Sequence, residues 1–412
     1  MHKSYGPPVT TSDSTAVGMR CIAMLEIPSN KELIVNQLNQ LLKRSRKRNV
    51  IADFSKVANS SLTTGYFENR RVNRVIFYLR SKGCQWACTD FGGCYMCGHY
   101  YGTSMGVELP DDSYYKQFKR EYEKYDFSNI PILCIYNAGS ILNPWEISNG
   151  QLYKILKLIS ENRFIKCVIL ESRPEFINYE ILHEISEILK NKVVEIGIGL
   201  ETSNDNIRTL CINKGFTFSQ YNHAANLIKK FANLRILTYL NVKPLFLTTQ
   251  ESIDDIVTSI RDISTLTDSI SLEPTSIQKN TMVEFTYNAG TYDVPKGWVI
   301  RDILNEVMQY DFYPKLDLRI GGFEFFPTPD IFIRNCDKCN KSLYDAIESY
   351  NTTKKIAKIQ GLTCDCYTSY KLEKIRENDL IGRTELKDRI LDIVTKAILL
   401  NPKEKNSKEV LL

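Results

Sequence analysis

Short, strongly apolar runs recur through the middle of the chain, at 75–79, 132–136, 167–170, 193–199, 236–242 and 269–272. Their length and flanking turn residues mark them as strands. Between them the apolar positions change to a period near 3.6, over 112–125, 149–161, 179–190, 218–232 and 251–264. That is the pattern of helices with one buried face. Six strand–helix units predict an α/β fold with a parallel sheet. A full eight-stranded barrel would need two more units than the pattern shows. In folds of this kind the chemistry gathers at the carboxyl ends of the strands.

The flanks read differently. Residues 1–69 form an N-terminal extension, polar and turn-rich over 1–20 and helical from Ser29, where Leu33, Ile34, Leu38, Leu41 and Leu42 share a face. That helix ends in Lys43-Arg44-Ser45-Arg46-Lys47-Arg48. A basic last turn complements the helix dipole. A phosphate-binding patch is the functional alternative, but no aromatic residues interleave with the charges. The core occupies 70–320. The Gly/Pro/aromatic stretch GGFEFFPTPD at 321–330 starts a C-terminal region, 321–412, with helices near 343–358 and 384–400 and a charged tail.

Composition narrows the class. The 412 residues allow two or three domains, or one barrel with additions. With 43% hydrophobic and 25% charged residues the chain can build a core, which excludes wholesale disorder. No heptad or glycine repeat persists. No stretch approaches 18 uninterrupted apolar residues, so no membrane-spanning helix is expected. The first residues, MHKSYGPPVTTSDST, lack a secretory pattern, and the expectation is a cytoplasmic protein. A net charge of +5 argues little for nucleic acid by itself.

Cysteine carries the first specific chemistry. Eight of the 12 fall in two clusters, and the other four sit singly in apolar or helical contexts, as buried structural thiols do. In a reducing compartment clustered thiols mean metal or iron–sulfur ligation. The first cluster, GCQWACTDFGGCYMCGHY at 83–100, begins where the first strand ends. Cys84, Cys94 and Cys97 are spaced C-x9-C-x2-C, and glycines at 83, 92, 93 and 98 let the backbone wrap closely. Three thiolates leave the fourth iron of a cubane open, whereas four-cysteine sites are closed. The alternative is a zinc knuckle pairing Cys84–Cys88 with Cys94–Cys97. The second cluster joins Cys336-Asp337-Lys338-Cys339 to Cys364-Asp365-Cys366. These four predict a closed structural site, for zinc or an auxiliary iron–sulfur cluster. Zinc is favoured by the tight corner between the last two cysteines.

Taken together, these stretches resemble the radical S-adenosylmethionine (SAM) superfamily, in the subgroup with C-x9-C-x2-C spacing; Met96, the apolar residue before the last cysteine, matches too. Within the superfamily the chain resembles the radical SAM component of archaeosine synthase. The likeness rests on the 83–100 stretch, ESRPEFIN at 171–178, GLETSNDNIRTLCINKGFT at 199–217, KPLF at 243–246, IQKNTMVE at 277–284, NCDKC at 335–339 and CDC at 364–366.

The resemblance implies a partial (βα)6 barrel. It implies a [4Fe–4S] cluster on Cys84, Cys94 and Cys97, with Cys88 a bystander, and an external electron donor. SAM would be held by Gly139 and Ser140 after the second strand, Glu171 and Arg173 after the third, and Glu201 after the fourth. Arg173 suits the methionine carboxylate, Glu171 its ammonium or the ribose hydroxyls, and Glu201 the ribose hydroxyls. Lys243 and Gln278 would face the substrate. The implied reaction uses a 5′-deoxyadenosyl radical for hydrogen abstraction, with C–N cleavage of a lysine-modified deazaguanine in tRNA and a partner enzyme that attaches the lysine. The chain departs from the family at Cys88, at Ser140 (where many relatives place an acid), in its extension, and at Val-Pro-Lys-Gly-Trp, 294–298. Two alternatives therefore stand beside it: a radical SAM enzyme acting on a small metabolite or peptide, and a non-catalytic iron–sulfur sensor or scaffold. Formation of 5′-deoxyadenosine separates the last from the other two.

Overall fold

Eight strands form one open sheet in chain order: β1 (Asn59–Phe67), β2 (Arg70–Tyr78), β3 (Ile132–Tyr136), β4 (Cys167–Glu171), β5 (Val193–Glu201), β6 (Leu234–Val242), β7 (Ser269–Pro274) and β8 (Asp317–Ile320). This is a computed structural model, and it describes residues 31–45, 53–68, 70–110, 112–322 and 332–400. The start of the chain with Cys21, the basic run beyond Ser45, most of the 321–330 loop and the charged tail lie outside the described residues.

β1 and β2 form an antiparallel hairpin, and β2 to β8 run parallel, with Arg74 opposite Ile132, Ile132 opposite Cys167 and Cys167 opposite Val193. The six strands predicted from the apolar runs are β2 to β7. β1 lies within residues 1–69, so the N-terminal extension contributes an edge strand to the sheet, and β8 adds a seventh parallel strand. Pairing does not join β8 back to β1, so the sheet is a half-barrel.

Apart from two short turns at Asp205–Ile207 and Ala357–Gln360, the described α-helices are α1 (Lys31–Ser45), α2 (Gln85–Cys88), α3 (Ser113–Tyr122), α4 (Asn149–Ser160), α5 (Tyr179–Ile188), α6 (Phe218–Ile228), α7 (Thr249–Ile263), α8 (Met282–Asn288), α9 (Trp298–Val307), α10 (Asn340–Thr353), α11 (Cys366–Leu380) and α12 (Leu386–Leu400). Capping boxes start α6, at Thr217 with Gln220, and α7, at Thr248 with Glu251. The main core lies between the sheet and α3 to α7, and includes Leu133, Leu170, Ile196, Leu152, Ile185 and Ile256. A smaller apolar group lines the concave face, with Ile76, Cys134, Cys167, Ile169 and Leu237 edged by Tyr78, Tyr136 and Tyr239. Cys134, Cys167 and Cys211 are buried.

A third apolar cluster caps the carboxyl ends. Ile34, Leu38 and Leu42 of α1 meet Tyr95, Leu210, Ile212, Phe246, Val283 and Ile390 there. Lys43 also pairs with Asp90, at 2.8 Å. The first and last described helices thus brace the segment that carries the cysteine loop. Arg389 of α12 is buried and bridges to both oxygens of Glu251, on α7. Among the described residues no helix is long and apolar enough to cross a membrane.

Candidate active site at the strand ends

The cysteine loop leaves the end of β2 and is fixed by strand ends far from it in sequence. Tyr95 N–H donates to the Ile212 carbonyl at 2.9 Å, and the Tyr95 carbonyl accepts from Met282 N–H at 3.0 Å. Asn213, at φ +59°, acts as a hub: its amide nitrogen donates to the carbonyls of Phe91 and Gly93 and to Asn39 Oδ1, at 2.8–2.9 Å. Gly92 and Gly93 both have positive φ, which lets the chain double back before Cys94. Trp86 stacks on Phe91 and donates from Nε1 to the Asn213 carbonyl at 2.7 Å. Gly215 lies under its ring, where a Cβ would come within 2.4 Å. Burial pushes the Cys84 thiol up to about 12, with the Glu146 carboxylate adding to it, and raises Cys94 as well. Loading metal must therefore expel protons from these ligands. Cys88 sits elsewhere: its sulfur is 3.9 Å from Tyr100 Oη, and it would be the nearest neighbour of a Cβ on Gly106.

At the end of β3, Gly139 lies so close that a Cβ would stand 1.9 Å from Glu146 Oε2 and 2.9 Å from Cys84 Cα. Glu146 is buried and accepts four hydrogen bonds. The donors are Ser140 N–H (2.6 Å), Gln85 N–H (3.0 Å), Asn137 Nδ2 (3.2 Å) and Asn143 Nδ2 (3.3 Å). Burial nevertheless pushes its carboxyl up to about 7. Glu146 clamps the residue after Cys84 to the turn after β3. An acid thus reaches this turn from six residues beyond Ser140, a link the motif Asn137-Ala138-Gly139-Ser140 does not reveal.

Ser140 Oγ accepts from Arg173 N–H at 3.1 Å. The Arg173 side chain is buried between the rings of Trp86 and Phe216, at 5.1 and 5.4 Å, and pairs with Glu175 at 2.6 Å. Nε and Nη2 both reach Glu175 Oε1, at 2.7 and 2.6 Å, which fixes the attitude of the guanidinium fork. Glu171 bonds to Tyr239, and burial pushes it up to about 7. On β5, Glu201 sits at φ +69° and pairs with Lys214 at 2.7 Å. Burial would lower the Lys214 ammonium, but Glu201 outweighs it and the net direction is up. Lys214 lies inside the 199–217 stretch, and only the fold shows that it meets Glu201. Gly197 and Gly199 form the floor: a Cβ on the first would stand 3.0 Å from Tyr239, and on the second 2.6 Å from Glu201 Oε1 and 2.7 Å from Lys214 Nζ.

Met96 is half-buried against the capping cluster. Gln278 Oε1 accepts from Gly98 N–H at 2.7 Å, so its carbonyl side is committed to the residue after Cys97. Lys243, at φ +57° just past β6, donates to Thr249 Oγ1 at 3.0 Å and pairs with Glu377 of α11 at 3.2 Å. The structure thus brings Cys84, Cys94, Gly139, Ser140, Glu171, Arg173 and Glu201 to one mouth, with Gln278 hydrogen-bonded to the cysteine loop and Lys243 paired with the C-terminal region. Cys336, Cys339, Cys364 and Cys366 meet one another in that region. The mouth gathers loop thiols, a guanidinium paired with Glu175, buried carboxylates and two close-packed glycines, groups whose chemistry fits a cubane and SAM.

No family model matches the chain. Archaeosine synthase subunit beta of Methanosarcina acetivorans is 33% identical over 301 residues, covering 72% of this chain and 83% of that protein. The subunit of the same name from Thermococcus kodakarensis is 32% identical over 301 residues, covering 70% and 87%. An uncharacterized protein of Methanocaldococcus jannaschii is 33% identical over 343 residues, covering 80% and 90%. Among solved structures, Elp3 of Methanocaldococcus infernus superposes with a TM-score of 0.41 at 15% identity, over 58% of each chain. Methylornithine synthase gives 0.41 at 12% identity, over 84% of this chain and 93% of that one.

Proposed function

The chain belongs to the family of archaeosine synthase beta subunits and is a radical SAM enzyme, and from that premise we propose that it acts on a lysine-modified deazaguanine in tRNA. The reaction is C–N cleavage that leaves an amidine on the base. A partner subunit attaches the lysine, and an external donor supplies the electron.

Cys84, Cys94 and Cys97 would hold a [4Fe–4S] cluster with one iron left for SAM. When bound, cluster and SAM supply hydrogen-atom abstraction from an unactivated carbon. The chain's own part is to bind, orient and exclude water. Arg173 takes the methionine carboxylate, held in a fixed attitude by Trp86, Phe216 and Glu175. Glu171 and Glu201 take the ammonium and ribose hydroxyls, and Gly197 and Gly199 let the adenosine lie close to the sheet. Gly139 lets the Glu146 clamp close against Cys84, and Gln278 holds the other end of the loop through Gly98.

The observation that supports this reading best is an identity of 32–33% with two archaeosine synthase beta subunits over 70–72% of the chain. It is tested by giving the anaerobically reconstituted protein a tRNA bearing the lysine-modified deazaguanine, with partner subunit and reductant. Mass spectrometry of the nucleosides should show the amidine base. Formation of 5′-deoxyadenosine with an unchanged base would reject this substrate and leave the enzyme class standing.

A further inference from the structure

We propose that Cys336, Cys339, Cys364 and Cys366 hold a single zinc ion, and that this ion fixes the helix that reaches Lys243 at the strand ends. Neither the site nor its metal depends on the tRNA substrate.

The four sulfurs all lie within 4.8 Å of one another. Cys336 and Cys339 are 3.6 Å apart, Cys336 and Cys364 3.5 Å, and Cys339 and Cys366 3.6 Å. A Zn–S bond of about 2.3 Å places two tetrahedral ligands about 3.8 Å apart. The thiols therefore already stand at the spacing of one ion. A cubane gives each thiolate its own iron, and its four ligands spread more widely than these. The spacing decides for a mononuclear site, a choice that four cysteines in a row of text leave open.

The surroundings suit four thiolates on a divalent cation. Cys339 N–H and Asn340 N–H both donate to the Cys336 carbonyl, turning the first pair inward, and Tyr367 N–H donates to the Cys364 carbonyl. Trp298 Nε1–H donates to Cys366 Sγ at 3.3 Å, a bond to ligand sulfur that offsets its charge. The Arg301 guanidinium lies 4.8 Å over the ring of Tyr367, the residue after Cys366, and Lys371 lies 4.9 Å over it. Four protein ligands leave no open position, and the site is structural rather than catalytic.

The ion would join three elements at their starts: α9 through Trp298, α10 just after Cys339 and α11 at Cys366. α11 runs on to Glu377, whose two oxygens accept from Lys243 Nζ at 3.2 Å and from Thr249 N–H at 2.8 Å. Lys374, one turn earlier, pairs with Asp302 of α9 at 2.7 Å. The start and the far part of α11 are thereby both pinned to the barrel.

The test is metal analysis of the full chain, expressed with zinc supplied, before and after anaerobic iron reconstitution. About one zinc per chain is expected in both samples, released in full by a mercurial reagent. Zinc K-edge absorption of the parent protein should show four sulfur ligands, which keeps the test independent of how variants fold. Cys336→Ser and Cys364→Ser should lose the zinc, while Cys94→Ala should keep it and lose iron. Hydrogen exchange should quicken along 366–380 in the zinc-free variants. Two cubanes' worth of iron without zinc, an absorption spectrum of a single iron in four sulfurs, or a parent chain free of metal at these residues would each overturn the proposal.

Discussion

The two cysteine sites are built on opposite plans. In the C-terminal region four sulfurs lie within 4.8 Å of one another, three pairs of them at 3.5–3.6 Å, brought together by two short spacings and two helix starts. At the strand ends the cysteines are placed by other parts of the fold: Glu146 holds the residue after Cys84, Asn213 the carbonyl before Cys94, and Gln278 the amide after Cys97. One site is closed by its own ligands. The other is held open by a frame, with Arg173, Glu171 and Glu201 waiting around it. A closed site needs only local geometry. An open one must leave space where a cosubstrate binds, and rigid elements have to define that space.

Damage to the frame should separate the two sites. The largest effect is expected from Gly139→Ala, whose Cβ would stand 1.9 Å from Glu146 Oε2 and 2.9 Å from Cys84 Cα. Glu146 cannot retreat without leaving buried N–H groups unpaired. Reconstituted protein should carry almost no iron at the mouth while its zinc is unchanged; normal iron would show that the clamp is dispensable. A smaller effect is expected from Arg173→Ala. Losing a charge-assisted pair to the cosubstrate costs on the order of 1.5–3 kcal/mol, or about 10- to 150-fold in SAM affinity. Equilibrium binding at equal iron content checks it, and an unchanged Kd would return Arg173 to a purely structural role with Glu175. Cys88→Ala should do least. Its sulfur rests near Tyr100 and Gly106, so iron content and turnover should stay at the parent level. Loss of iron in this variant would make Cys88 a cluster ligand and overturn the Cys84, Cys94 and Cys97 set.

The two plans also explain what could be read from sequence. The strands β3 and β4 are buried along most of their length and show as unbroken apolar runs, and the amphipathic stretches between strands folded as helices. β1, with the sequence NSSLTTGYF, is a half-exposed edge strand with few apolar residues, and β8 has only four residues. Neither carries a period strong enough to read. The four C-terminal cysteines were legible because short spacing already restricts their geometry. Glu146 and Lys214 were not, because only the folded sheet brings them beside Cys84 and Glu201. Gln278 illustrates the same point: its family likeness marks it as important, while its bond to Gly98 shows what its carbonyl side does.

The central claim is that the framed, open site works on SAM. The most direct test incubates the anaerobically reconstituted full chain with SAM and a strong reductant and measures 5′-deoxyadenosine. The parent should form it. Cys84→Ala, Cys94→Ala and Cys97→Ala should fall to background while retaining zinc. A fully iron-loaded parent that forms none, or a Cys94→Ala variant that forms as much as the parent, would contradict the account.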